Sequence, residues 1–258
     1  MKKTKLYLHL KKWLEIAASE YSMIKKNDRV LICVSGGLDS DVLLDLLLSP
    51  MLYLPEFESV AFHVDLGFDP QHEGLTVLDN FLESKGCEYY LEKTDIGPLA
   101  HSIKNRKNPC FLCSRIRRKH IFEAAEKYGC NKIAFAHHKD DMIETLLINM
   151  FYGREISTMV PNQPVFGGKY HLIRPLAYIT EKLVKKYAGE SNFPYIQNKC
   201  PTEPVSKRAY VKKLLDYIEK DNKNVRENIF KSMRHVKPDY LLRPEMTLTD
   251  EVEAAAER

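Results

Sequence analysis

Apolar runs and polar breaks alternate along most of this chain. Val30-Leu31-Ile32-Cys33-Val34 is unbroken and does not alternate, which predicts a strand buried on both faces. Ser59 to Asp65, Glu88 to Glu92 and Lys132 to Ala136 read as three more strands. Between them the period lengthens to that of a helix. One helix follows residue 40 and runs to about Leu48. Another spans Leu75 to Ser84, with Val77, Leu78, Phe81 and Leu82 as its buried face. Ser114 to Tyr128 and Asp141 to Tyr152 are helical in the same way. Residues 6–25 predict an amphipathic helix on Leu6, Leu10, Trp13, Leu14, Ala17 and Ile24, ended by Asn27-Asp28. Residues 94–109, with Gly97, Pro98 and Pro109, read as a loop with a short helix in it.

The pattern changes after Gly153. Tyr170 to Leu176 reads as a short strand closed by Pro175, Glu181 to Ala188 as a helix, and residues 194–204 as a loop with three prolines. Ser206 to Lys220 and Asn222 to His235 read as two terminal helices, and residues 244–258 as a frayed tail. Alternating β and α segments with short connections predict an α/β fold with a doubly wound parallel sheet. The domain reading is an N-terminal helix (1–28), the α/β domain (29–205), C-terminal helices (206–243) and a flexible tail (244–258). Ligands of such sheets bind beyond the C-terminal strand ends. Four polar features fall there: the loop at Ser35, His63 with Asp65, the segment after the third strand, and His137-His138-Lys139-Asp140-Asp141.

Composition narrows the class little. The chain has 258 residues, 44% of them hydrophobic, and a formal net charge of +4, as expected of a globular enzyme. No apolar stretch is long enough to span a bilayer. The basic start, Met1-Lys2-Lys3-Thr4-Lys5, is followed by His9, Lys11 and Lys12 rather than a signal-peptide core, so the expected location is cytoplasmic. A disulfide framework is then not expected among the six cysteines. Cys33, Cys87 and Cys130 read as structural.

The first buried strand runs into Ser35-Gly36-Gly37-Leu38-Asp39-Ser40. Two glycines let the backbone turn sharply, and the following helix start favours an anion. A strand, a glycine turn and a helix N-terminus make a phosphate cradle. It is neither a Walker loop nor a dinucleotide fingerprint. It resembles the PP-loop of the ATP pyrophosphatase superfamily, whose members cleave ATP between the α- and β-phosphates to adenylate a carbonyl oxygen.

Cys110-Phe111-Leu112-Cys113 puts two thiolates within reach of one metal or cluster, just before a basic helix. No second CxxC exists. Cys200, in Lys199-Cys200-Pro201, is the other cysteine in a polar loop. Three thiolates make a poor structural zinc site but suit a [4Fe-4S] cluster with one open iron. Spacing alone leaves a cluster, another metal and no metal open.

Pro109 to Arg118, Ala136 to Asp141, Asn149 to Gly153 and Ile173 to Leu176, in that order, resemble the tRNA 2-thiocytidine synthetase family, related to the tRNA 2-thiouridine synthetases. The resemblance runs from about residue 30 to about residue 235. It implies a [4Fe-4S] cluster on Cys110, Cys113 and Cys200. It implies ATP on Ser35, Gly36, Gly37, Asp39, Ser40, His63, Ala136 and Asp141, with Mg²⁺. The chain departs from that family's usual pattern at Leu38, where a lysine is common, and around Cys200.

The implied reaction starts with attack of a pyrimidine C2 carbonyl oxygen of an anticodon-loop nucleotide, expected to be cytidine, on the α-phosphate. Pyrophosphate leaves, sulfur attacks C2, and AMP follows. Asp141 would position ATP or magnesium, and Arg117 would touch the reaction centre. Arg115, Arg118 and Lys119 are the expected tRNA contacts, against the plainer reading of a solvated helix face. Lys207, Arg208, Lys212, Lys213, Lys231, Arg234 and Lys237 offer a second tRNA surface. The implied partners are tRNA and a sulfur donor, either cysteine desulfurase-derived or inorganic sulfide, with a homodimer by resemblance. Three alternatives stand beside this reading: a 2-thiouridine synthetase, a cluster-free PP-loop ligase such as a tRNA lysidine synthetase, and a metal-bearing tRNA-binding module without catalysis.

Overall fold

The computed structural model describes residues 4–102, 105, 109–194, 196, 199–201 and 206–242. Six strands form one sheet: β1 (Asp28–Cys33), β2 (Phe57–Asp65), β3 (Glu88–Lys93), β4 (Lys132–Ala134), β5 (Asn162–Val165) and β6 (Tyr170–Ile173). Their order is β3-β2-β1-β4-β6-β5. Five strands run parallel, with Leu31 of β1 opposite Val60 of β2 and Ile133 of β4. β5 is antiparallel to β6, pairing Asn162 with Ile173 and Val165 with Tyr170.

Both faces of the sheet are covered, which is why its central strands are apolar without alternation. Val30 and Ile32 face one core, shared with Leu10 and Leu14 of α1 (Lys5–Glu20), Leu43 and Leu44 of α2 (Leu38–Leu47), Leu78 and Leu82 of α3 (Glu73–Lys85) and Val184 of α7 (Glu181–Glu190). Leu31, Val60, Phe62 and Ile133 face the other core, against Ile121, Ala124 and Ala125 of α5 (Pro109–Lys127). A short α4 (Ile96–Ala100) precedes α5. A smaller cluster joins Ile143 of α6 (Lys139–Ile148) to Val211 and Leu215 of α8 (Lys207–Ile218), with Ile229 and Phe230 of α9 (Val225–Ser232) packed on it.

Several boundaries differ from the sequence reading. α1 stops at Glu20, not near Ile24, because Ser22 adopts φ of 47° and Met23 and Ile24 turn into the core. Within 94–109 the expected short helix is α4. α5 begins at Pro109, so the CxxC lies in its first turn rather than ahead of it; proline suits that position, where no N–H is needed. α6 begins at Lys139 and ends in a π-turn at Asn149–Gly153. β5 was not expected at all: the sheet is parallel except at this edge, where Pro164 is tolerated. The tail 244–258 lies outside the described residues. Among the described residues no helix is long and apolar enough to cross a membrane.

Candidate nucleotide and sulfur site

The strand order reverses between β1 and β4, and the loops leaving those strands flank a cleft of about 700 Å³. Ser35, Gly36, Gly37, Asp39, Ser40, His63, Ala136 and Asp141, all expected at an ATP site, line it together with Arg117. Gly36 has φ of 82°, a conformation that favours glycine. The turn closes on itself: Ser35 N–H donates to Ser40 Oγ at 3.1 Å, and Ser40 Oγ–H donates to the Gly37 carbonyl at 2.7 Å. Gly37 caps α2 without a side chain, so the anion-favouring end of the helix opens on the cleft uncovered.

Three histidines have fixed chemistry here. His63 Nδ1–H donates to the Val34 carbonyl at 2.7 Å, and burial lowers its pKa, so a neutral ring keeps Nε2 as an acceptor. His138 caps α6, accepting from Asp141 N–H through Nδ1 at 3.4 Å, while its own N–H donates to Asp141 Oδ2 at 2.9 Å. Nε2 then carries the proton, 3.8 Å from Asp39 Oδ2. Asp141 is thus the third residue of a capping box. His137 lines the cleft, and its buried Nδ1 has no partner among the described residues. Burial drives its pKa down to about 4, so the ring is neutral.

Two carboxylates, Asp39 and Asp141, line the cleft. Burial raises the pKa of Asp39, opposed by His138. Asp141 Oδ1 pairs with Arg208 Nη1 at 2.7 Å, and the same nitrogen reaches Glu144 Oε2 at 3.0 Å. Three cations of the expected second tRNA surface have acidic partners within the fold. Arg208 is spent on Asp141 and Glu144, Lys212 on Glu181 at 2.5 Å, and Arg234 on Glu20 at 2.8 Å. These ion pairs tie the C-terminal stretch to α6, α7 and α1.

The wall opposite the loop was less legible. Ile196 lies over the cradle: a Cβ on Gly36 would stand 3.4 Å from its Cδ1, and one on Gly74 only 2.7 Å from its Cγ2. Lys199 also lines the cleft and pairs with Asp69 at 2.9 Å. Asp65 orders the facing loop by accepting from His72 Nδ1 at 2.6 Å and Gly67 N–H at 3.0 Å. Cys33, expected in the core, ends β1 at the cleft wall, and burial pushes its thiol up to about 12.

Cys110 is exposed, while Cys113 and Cys200 are half-buried. Cys110 and Cys200 both act electrostatically on Cys113, as does Arg117, while burial raises the Cys113 pKa. Among the described residues no three His, Cys, Asp or Glu side chains converge as ligands of a single ion. A cubane holds each thiolate on a different iron and so spaces its ligands more widely. Cys113 thus has two thiols and an arginine in its electrostatic surroundings, the donor chemistry that a cluster would use. Arg115, Arg118 and Lys119 point elsewhere, lining a separate concavity with Phe111, Phe122 and Phe166.

Residues 6–217 match a family described as a PP-loop domain. The tRNA-cytidine(32) 2-sulfurtransferase of Polynucleobacter necessarius subsp. necessarius is 38% identical over 229 residues, covering 88% of this chain and 75% of that protein. The tRNA-cytidine(32) 2-sulfurtransferase of Actinobacillus succinogenes is 39% identical over 248 residues, covering 94% and 78%. Among solved structures, the U34-tRNA thiolase NcsA from Methanococcus maripaludis, determined with its [4Fe-4S] cluster, has the same fold. Its TM-score is 0.73 over 90% of this chain and 80% of that one, at 23% identity. The chain belongs to the tRNA-cytidine(32) 2-sulfurtransferase family of PP-loop proteins, enzymes of tRNA thiolation.

Proposed function

We propose that this chain thiolates C2 of an anticodon-loop cytidine in tRNA, using ATP to adenylate the C2 oxygen first. One observation carries this reading. Cys110, Cys113 and Arg117 follow one another along α5 at helical spacing, and Arg117 opens into the cleft lined by the PP-loop. Sulfur chemistry and phosphate chemistry are thereby held side by side.

The residues supply the following roles. The Gly36-Gly37 turn and the start of α2 take up charge on the departing pyrophosphate. His63 Nε2, an acceptor, suits the exocyclic amine of adenine, with Ala136 leaving room beside it. Arg117 counters charge on the α-phosphate as the C2 oxygen attacks and the α–β bond breaks. Asp39 and Asp141 would hold Mg²⁺ beside the phosphates, where it would offset their charge. Cys110, Cys113 and Cys200 would hold a [4Fe-4S] cluster, which would supply the sulfur chemistry of the reaction, with inorganic sulfide or a cysteine desulfurase as the source. The protein acts in the cytoplasm, where tRNA is modified, and as a homodimer.

Anaerobic purification with iron and sulfide analysis tests the reading. The wild type should carry about four irons per chain, and Cys200→Ala should lose them along with thiolation of a tRNA transcript. A cluster-free wild type that still releases pyrophosphate, or one holding stoichiometric zinc, would overturn the sulfur mechanism and favour a PP-loop ligase.

A further inference from the structure

Two stripes run along α5. Cys110, Cys113, Arg117 and Ile121 form one, and its last two members line the nucleotide cleft. Phe111, Arg115, Arg118 and Phe122 form the other, offset around the helix. This second stripe lines a groove of about 600 Å³, closed on its far side by Phe166. Phe166 comes from the turn between β5 and β6, and no catalytic role engages it.

Three observations describe what the groove takes. Phe111 and Phe166 are 67% and 66% exposed, large rings that a core would have buried. Phe166 is held in a left-handed conformation with φ of 51°, costly for a residue with a Cβ, and its ring meets Phe122 edge-on at 4.8 Å. Its exposed face is therefore fixed in place. The rim is cationic: Arg115, Arg118 and Lys119 face one acid, Glu123, which sits 3.6 Å from Lys119. Fixed aromatic faces inside a basic rim are the features that hold an unstacked base and its phosphates. An apolar protein segment would leave the guanidinium excess uncompensated.

We propose that this groove seats an unpaired nucleobase of the substrate RNA, stacked on Phe166 and Phe111, with its flanking phosphates on Arg115 and Arg118. The base is a near neighbour of the nucleotide that enters the cleft. The two stripes stand about 125° apart around one helix about 10 Å across, a span that a few splayed nucleotides bridge. The groove thus reads the context of the modified position, and this rests on the RNA-thiolation reading above.

The test uses the full-length protein and an anticodon stem-loop RNA with 2-aminopurine placed in turn at each loop position. Binding should quench the probe at one position flanking the target. Phe166→Ala should abolish that quench and weaken binding about tenfold, and Phe166→Tyr should restore both. Arg118→Gln should lower the salt dependence of binding by about one ion. Thermal melting checks that each variant is folded. If the wild type binds the RNA but no flanking probe is quenched, and Phe166→Ala binds equally well, the groove proposal falls alone. If the wild type does not bind the RNA, the thiolation reading falls with it. A dimer that Phe166→Ala splits in sedimentation would make the groove a self-association face and overturn the proposal.

Discussion

The nucleotide side and the sulfur side of this molecule are built on different principles. The nucleotide side is mostly backbone: a glycine turn at φ of 82°, the open end of α2, and side chains locked at the ends of buried strands. Ser35, Ser40, His63 and His138 all have their hydrogen bonds fixed within the fold. The sulfur side is side-chain chemistry on the first turn of one helix and on a loop about ninety residues later. One of its cysteines is exposed. A preorganised cradle needs no ligand to hold its shape. A set of three thiols brought together by a helix end and a loop gains its order from what it binds.

Separate failure of the two sides is the sharpest way to break that comparison. Gly36→Val puts a β-branched side chain at a left-handed φ and against Ile196, whose Cδ1 would stand 3.4 Å from the new Cβ. ATP binding should fall by at least about a hundredfold, which is about 3 kcal/mol, with iron content per chain unchanged. Nucleotide titration and iron analysis on one preparation check it. Loss of iron together with nucleotide binding would mean that the cradle also organises the cysteines.

The join between the α/β domain and the C-terminal helices sharpens the comparison from a second direction. Arg208 links α8 to Asp141 and to Glu144, which is 3% exposed. Burial already raises the Glu144 pKa, and Arg208 opposes that rise. Arg208→Gln leaves a buried carboxylate without its partner, so melting should drop by about 2–6 °C. Glu144→Gln in the same chain should recover most of the loss, a coupling that a double-mutant cycle measures. ATP affinity should change less than stability, since Asp141 keeps its bond from His138 N–H. Independent, additive losses would show that Arg208 acts on Asp141 alone.

The sequence spoke unevenly about the two sides, for physical reasons. Strands buried on both faces must be apolar throughout, so β1, β2 and β4 stood out, and with them the loops at their ends. β5 has four residues, a proline and partial exposure, and left no hydrophobic signal. The Gly167-Gly168 pair between two short runs was a hairpin cue that would have found it. The start of α5 was missed because Pro109 was read as the end of a loop rather than as the first residue of a helix. No periodicity could have put Ile196 over Gly36, since that contact depends on how a distant loop crosses the sheet. The basic residues of α8 looked like an RNA surface because sequence shows charge but not its partner. Arg208 and Lys212 turned out to be neutralised within the fold.

The last effect concerns what lies under the cradle. Asp41 sits one residue past the loop, fully buried, with Oδ2 lacking a partner among the described residues. Burial pushes its carboxyl up to about 7, against an ordinary value of 3.8. A folded-state pKa above the unfolded one means that the native state holds its proton longer. Stability from this group is therefore fullest below about pH 4 and is lost as pH rises towards 7 and beyond. At pH 8 the folded protein bears a buried, poorly solvated charge that Asp41→Asn removes. The variant should be more stable than wild type at pH 8, by about 4 kcal/mol at most, a gap that shrinks to less than half of that at pH 5. Melting curves of both proteins across pH 5–8 decide the matter. A wild type whose stability tracks the variant at every pH would mean that Asp41 is already charged and paired, and that the floor of the cradle is electrostatically held rather than apolar.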